Sequence, residues 1–344
     1  MVTIKDISRE CGVSPATVSK VFNGYSDVSS ATVESVFAAA EKLGYTPNAA
    51  ARALKTNHSN NIGVLFADEV SSGLMHEYFS AVLNSLKDEA ERSGYDITFI
   101  CKNIGGRNMS YLDHCRYRKC DGVVIACVDF FDSSILELIH SGIPIVTVDH
   151  IFDRCGAVIS DNVKGMSDLV TYIIGQGHRR IAYIYGGDTS VTRNRIAGFY
   201  RTCERHGIVV PDEYVLSGFY HDPDSCARAT EKLMGLPEPP TCILYPDDIA
   251  LLGGRNQLEM MGFSIPDDVS VAGYDGAVLS QAVRPTLTTL QQDTETLGRE
   301  AARQVIEAIE NPKTYLPRQE LIPGKLLQGG TVKRLYETPA TRVI

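Results

Sequence analysis

The sequence predicts an α/β protein: an all-helical helix-turn-helix head and a hinge helix, joined to a two-lobed body of parallel sheets. Three observations carry this. The first 46 residues place apolar side chains at helical spacing between capping and turn residues. A short Ala-rich run and a polar stretch, "TNHSNN", follow. From Ile62 onward, short continuously apolar β-rich runs alternate with helical stretches, the pattern of parallel strands covered on both faces.

The head reads as three helices. Thr3 caps the first, with Ile4, Ile7 and Cys11 on one stripe, and Gly12 ends it because it tolerates a backbone angle that other residues resist. Ser14 caps the second, and Pro15 stands in its first turn, where a missing N–H costs nothing. Asn23-Gly24 stops that helix. The third begins near Ser29 or Ser30, ends at Gly44, and turns Val33, Val36, Phe37, Ala40 and Leu43 inward. Helix, glycine turn and short helix form a helix-turn-helix. Within "GVSPATVSKVFNG", Val18 and Val21 belong to the core, which leaves Pro15, Ala16, Ser19 and Lys20 on the outer face.

Pro47 breaks the chain, and Asn48 can cap a helix over 49–55 that is too short to hold alone in water. The runs "IGVLF", "YDITFI", "GVVIAC" and "PIVTVD" then make one series of strands, and "RIAYIY", "TCILY" and "VSVAGY" a second. Two series mean two lobes. The run "LTTLQQ", a helix over 293–309 and "QELIPGKLLQGG" cross back between them. The expected division is a head over 1–46, hinge and linker over 47–60, body over 61–333 and tail over 334–344. Lobe one takes about 61–160 and 291–320, and lobe two about 161–290 and 321–333. Ligands of such sheets sit beyond the carboxyl ends of the strands.

Composition is that of a globular protein, and no apolar run reaches the roughly 18 residues that span a bilayer. The start, "MVTIKDISRE", does not read as a signal peptide, so a cytoplasmic location is expected. The nine cysteines are scattered; Cys115 and Cys120 are the nearest pair and lack a His at finger spacing, as in a set of reduced, mostly buried thiols. The formal net charge is −9, but residues 1–60 hold six Lys/Arg and five Asp/Glu, a net of +1, which leaves −10 for the remainder. A near-neutral head on an acidic body can approach phosphates.

Catalytic constellations are missing. There is no phosphate loop, no Gly-x-Gly-x-x-Gly after a strand and no Gly-x-Ser-x-Gly elbow. "HEYFS" lacks the second His of a zinc protease. No enzymatic activity, cofactor or metal is expected. The pair Asp247-Asp248 reads equally as a helix N-terminus or as a ligand contact at the end of "TCILY".

Taken together, "TIKDISRECGVSPATVSKVFNG", "LGYTPNAAARALKT", "GHRRIAYI", "RIAGF", "PDDVSVAGYD" and "RPTLTTL" resemble, in order and spacing, the lactose repressor/galactose repressor (LacI/GalR) family of bacterial transcription regulators. The resemblance covers about residues 2–330 and implies a periplasmic-binding-protein-like (type I) effector domain. It also implies a homodimer, palindromic double-stranded operator DNA and a small-molecule effector, most simply a sugar or sugar derivative. Carried over by position, Pro15, Ala16 and Lys20 read base edges, while Ser14, Thr17, Ser19 and Asn23 serve phosphates or caps. "AAARALK" matches the hinge helix. Leu54 is then a minor-groove wedge, Asn48, Arg52 and Lys55 contact phosphate or groove, and Ala49, Ala50 and Ala53 permit close approach of a paired hinge. Arg195 and Asp275 match the ligand anchors, Tyr78 and Phe79 line the cleft from lobe one, and Asp149, Asp161, Tyr220, His221 and Asp247 are further effector contacts. Asp247 stands where many members have Asn, which suits a polyol or a cationic group. The competing readings are a cytosolic sugar-binding module, and a regulator governed by a protein corepressor.

Overall fold

The computed structural model describes residues 2–22, 25–46, 58–67, 74 and 76–335. It divides into two compact units, 1–60 and 61–344.

The first unit holds α1 (Ile4–Cys11), α2 (Pro15–Phe22) and α3 (Ser30–Leu43). Each start is set by a side chain. The Asp6 carboxylate accepts from the Thr3 backbone N–H at 2.9 Å and from its hydroxyl at 2.7 Å. Thr17 N–H donates to Ser14 Oγ at 3.0 Å, and Thr32 N–H to Ser29 Oγ at 3.3 Å. Gly12, at φ 68, turns the chain out of α1. Ile7, Val18, Val21, Val36, Ala39 and Ala40 close a small core. Phe37 departs from the expected inner face: it is 51% exposed and meets Phe22 edge-on at 5.6 Å. The core is filled by the alanines beside it, so the larger ring packs at the rim.

The second unit opens with β1 (Asn61–Phe66), α4 (Glu77–Arg92), β2 (Asp96–Ile100), the hairpin β3 (Asn103–Ile104) and β4 (Arg107–Asn108), and α5 (Tyr111–Arg118). β5 (Gly122–Ala126), α6 (Ser133–Ile139), β6 (Ile145–Val148) and β7 (Gly156–Ser160) complete the first series. The second series comprises α7 (Asn162–Gly175), β8 (Ile181–Tyr185), α8 (Ser190–Arg205), β9 (Val215–Ser217), α9 (Pro223–Met234), β10 (Cys242–Leu244), α10 (Asp248–Met260) and β11 (Ser270–Asp275). Last come α11 (Val278–Ala282), β12 (Thr288–Gln291), α12 (Thr294–Glu310), β13 (Gln319–Ile322) and β14 (Lys325–Leu327).

Two six-stranded sheets result, ordered β13-β7-β6-β5-β1-β2 and β14-β12-β11-β10-β8-β9. Within these two sheets all pairings are parallel except β12 with β14. Central strands are continuously apolar because helices cover both faces; every residue of β5 and of β7 is buried. The short buried β7 and the three-residue β9 were not visible in the sequence pattern. The chain passes between the sheets after Ser160, after Gln291 and between Ile322 and Lys325, where the sequence put the last passage at 320–321. No helix among the described residues is long and apolar enough to cross a membrane.

Helix α12 returns from the second lobe to cover the first sheet, and it lies flush on α4. A Cβ on Gly298 would stand 2.1 Å from both the Val82 carbonyl oxygen and Ser85 Oγ. Ser85 Oγ also donates to the Thr294 carbonyl at 2.9 Å, tying the two helices at that point. The Gly298→Ala protein is expected to unfold at lower urea concentration, with a loss of about 1–3 kcal/mol from overpacking against backbone. An unchanged midpoint would mean that the helices separate freely.

Candidate functional site

Two surfaces carry the residues singled out by sequence. On the head, burial of Val18 and Val21 turns Ser14, Pro15, Ala16 and Lys20 to solvent, with Thr17 and Ser19 half-buried. Ser14 and Thr17 are occupied with each other, their hydroxyls 2.8 Å apart. The Lys20 ammonium donates to the Asp27 carboxylate from the loop after α2, a partner the sequence reading missed. Asn23, and Asn48, Arg52, Leu54 and Lys55 with Ala49, Ala50 and Ala53, lie outside the described residues.

The second surface lies where the carboxyl ends of the strands meet. Arg195, in the second turn of α8, is 3% exposed, and each of its three guanidinium nitrogens faces an acceptor. Nε donates to Asn162 Oδ1 at 2.8 Å and Nη1 to the Pro246 carbonyl at 2.8 Å. Nη2 faces Asp275 Oδ1 at 3.5 Å, and the group lies 3.6 Å over the Tyr274 ring. Asp275 is the last residue of β11, in a left-handed conformation at φ 95, and Gln292 Nε2 donates to its Oδ1 at 2.7 Å. Tyr220 closes the other side, its ring 5.7 Å from the guanidinium and its hydroxyl 2.9 Å from Thr192 Oγ1. Gly186 makes room for that ring, since a Cβ there would stand 2.2 Å from it.

Lobe one contributes Tyr78 and Asp149. Tyr78 donates its hydroxyl to Asp149 Oδ2 at 2.5 Å, and Ser160 N–H donates to Oδ1 at 3.0 Å. Contacts between the lobes draw these groups toward Arg195. Ser190 Oγ donates to the Asp149 carbonyl at 3.0 Å, Val278 N–H donates to Glu77 Oε1 at 2.6 Å, and the His76 and His221 rings stand 4.0 Å apart. His221, at φ 53, gives its N–H to Asp247 Oδ2 at 2.8 Å, while Asp247 Oδ1 caps α10 through Ala250 N–H at 2.7 Å.

The cleft is rich in enclosed acid. Burial raises the carboxyl pKa of Asp149, against hydrogen bonds from Tyr78 and Ser160 that lower it. Burial likewise raises Asp247, helped by Asp275. Asp248 is pushed well above the usual range, again chiefly by burial; its Oδ2 accepts from Ala277 N–H at 2.8 Å. Arg195 is the single buried cation among the described residues here. Burial works against its charge, but Tyr220, Tyr274 and Asp275 outweigh it.

The structure therefore gathers Tyr78, Asp149, Arg195, Tyr220, His221, Asp247 and Asp275 at one place. One expectation is corrected. Phe79 is 2% exposed and stacks on Phe66 at 3.8 Å in the core of lobe one, because 79, 82, 86 and 90 form the inward stripe of α4. Asp161 caps α7 through Lys164 N–H at 3.0 Å. Asn162, Thr192, Tyr274 and Gln292 were missed. Gln292 follows a strand end in "TTLQQ", the one signal that could have marked it.

Among known proteins, the model of bacterial regulatory proteins of the lacI family matches residues 3–48, and that of a periplasmic binding protein-like domain matches 170–332. The HTH-type transcriptional repressor PurR of Vibrio vulnificus is 31% identical over 343 residues, covering 97% of this chain and 100% of the relative. PurR of Escherichia coli is 31% identical over 321 residues, 91% of this chain and 92% of the relative. The lac repressor dimer, solved bound to operator and the anti-inducer ONPF, superposes with a TM-score of 0.77 at 26% identity, covering 96% of this chain and 99% of that one.

The raised Asp248 carboxyl has a measurable consequence. The folded protein keeps a proton that the unfolded chain releases near pH 4, so this group costs stability as pH rises above that value. Asn keeps the acceptor without the charge. Urea unfolding should show Asp248→Asn gaining on the parent as pH rises above about 4. A difference independent of pH would show that Asp248 is ionised in the fold.

Proposed function

Because the chain belongs to the lacI family of bacterial regulatory proteins, we propose that it represses transcription as a homodimer on a palindromic operator, under control of a small ligand. The exposed Pro15, Ala16 and Lys20 face of α2, set by the buried Val18 and Val21, supports the DNA half of this reading. A recognition helix presents such a face to base edges in the major groove. Lys20 donates to guanine O6 and N7, and Pro15 and Ala16 offer apolar contact to thymine methyl groups. Releasing Lys20 from Asp27 accompanies docking. Leu54 of each hinge enters a central minor-groove step, the unstacking being offset by the contacts that a bent duplex allows.

The observation that carries the ligand half is the buried Arg195 held opposite Asp275 at the junction of the lobes. Paired in this way, the two bind vicinal hydroxyls by charge-assisted hydrogen bonds, and Tyr78 and Tyr220 offer ring faces. The enclosed acids Asp149, Asp247 and Asp248 favour a neutral or amine-bearing polyol, such as a sugar or amino sugar, over a sugar phosphate. A ligand that prefers one lobe arrangement shifts the spacing of the paired hinges and so the operator affinity.

Selection of bound sequences from a random duplex pool, repeated with neutral sugars, amino sugars, sugar phosphates and nucleobases, tests both halves. A palindrome whose affinity changes with a neutral or amine-bearing polyol is expected. An absence of enriched sites would remove the DNA reading, and a response confined to phosphates would remove the ligand class. Lys20→Ala should relax preference at one symmetric base position, by about 1–3 kcal/mol per pair of contacts. Asp27→Asn should tighten operator binding by up to about fivefold, the range of an exposed ion pair. Arg195→Ala should leave the selected palindrome unchanged but abolish its response to ligand.

A further inference from the structure

All nine cysteines are free thiols, and two of them are juxtaposed by a backbone device. Helix α5 ends on Lys119 in the left-handed conformation, φ 54 and ψ 46. Lys119 N–H donates to the Arg116 carbonyl at 3.1 Å, and Cys120 N–H to the Cys115 carbonyl at 2.9 Å. This pair of bonds is a Schellman motif, which brings the side chain after the cap against the one at the start of the last turn. Here both are cysteines: Cys115 belongs to an apolar core of lobe one, and Cys120 packs against that core.

Their surroundings divide the labour. Cys115 is fully buried with Leu65, Ile100 and Leu138. Cys120 is half-buried and accepts a hydrogen bond from Asn61 Nδ2 at 3.7 Å, where the chain enters the body. The Asn61 donor stabilises negative charge on its sulfur, and the neighbouring Cys115 thiol lowers the Cys120 thiol pKa while its own is raised. The exposed Cys101 has a different neighbour: its sulfur lies 3.7 Å from His114 Nδ1.

We propose that Cys115 and Cys120 are a site of reversible oxidation by hydroperoxides, with Cys120 attacking and Cys115 resolving. The Cys120 thiolate attacks a peroxide oxygen. The O–O bond breaks, the distal oxygen leaves with a proton as water or alcohol, and Cys120 becomes a sulfenic acid. The Cys115 sulfur then attacks the Cys120 sulfur, the S–O bond breaks, and water leaves with the Cys115 proton. Each sulfur gives up one electron, and the two peroxide oxygens are reduced. The disulfide sulfur carries no charge and accepts more weakly than the thiolate, so the bond from Asn61 at the first residue of β1 is weakened.

The full-length protein is treated with hydrogen peroxide, denatured, alkylated and digested with trypsin, which cuts after Arg116, Arg118 and Lys119 between the two cysteines. The expected product is a cross-linked pair of peptides, one ending at Arg116 and one beginning at Cys120, with loss of two alkylatable thiols and recovery by dithiothreitol. Cys120→Ser should abolish the cross-link and leave Cys115 alkylatable. Cys115→Ser should stop the reaction at a sulfenic acid on Cys120 that dimedone traps. Modification of Cys101 with Cys115 and Cys120 still alkylatable would overturn the proposal, as would a cross-link that persists in Cys120→Ser through Cys127.

Discussion

A cation without access to water must be surrounded by acceptors, and around Arg195 that requirement organises the second lobe. Its four partners come from three separate places: Asn162 at the start of α7, Pro246 after β10, and Asp275 with the Tyr274 ring at the end of β11. Removing any one acceptor would leave buried charge uncompensated, which costs far more than an exposed ion pair contributes. The strand ends are therefore fixed relative to one another before any ligand arrives. Such prior fixing is what lets a small molecule bind without first ordering its own site.

The acids around that cation have the opposite character. Asp149, Asp247 and Asp248 are held by hydrogen bonds yet biased toward their neutral forms by burial. The two lobes are joined across the cleft by a few polar links, Ser190 to Asp149 and Glu77 to the Val278 N–H, rather than by a shared apolar core. Each lobe keeps its own clusters of apolar residues, such as Val82 and Val305 in the first and Phe199 and Tyr274 in the second. A ligand can shift two such lobes only through unequal affinity for different arrangements of that polar seam.

Most of the architecture was legible in the sequence because the strands are buried on both faces and the helices are capped by Ser, Thr and Asp. Thr3, Ser14 and Ser29 each mark a true helix start. The strands that escaped notice, Gly156–Ser160 and Val215–Ser217, are short and carry no turn signal of their own. At the cleft, charged residues at strand ends were readable, but their supports were not. Asn162, Thr192 and Gln292 act through hydrogen bonds to partners from 17 to 33 residues away, which no local pattern encodes. Phe79 was misplaced for a related reason: one residue separates it from Tyr78, and only helix orientation decides which ring reaches the cleft.

The threefold passage of the chain between the lobes also shapes how the protein is made. The first sheet is mostly synthesised by Ser160, yet its edge strand Gln319–Ile322 and its covering helix Thr294–Glu310 come from near the far end. Leu297, Ala301, Val305 and Ile309 of that helix are buried in the core of the first lobe. At ordinary ribosomal rates, roughly ten to thirty seconds separate the two events. During that interval the nascent first lobe presents an uncovered apolar face, so the lobe begun earlier is not the lobe finished earlier. Vectorial synthesis thus delivers both lobes to completion together, and emergence of Thr294–Ile322, rather than of the first lobe's earlier strands, sets the moment at which the body becomes protected.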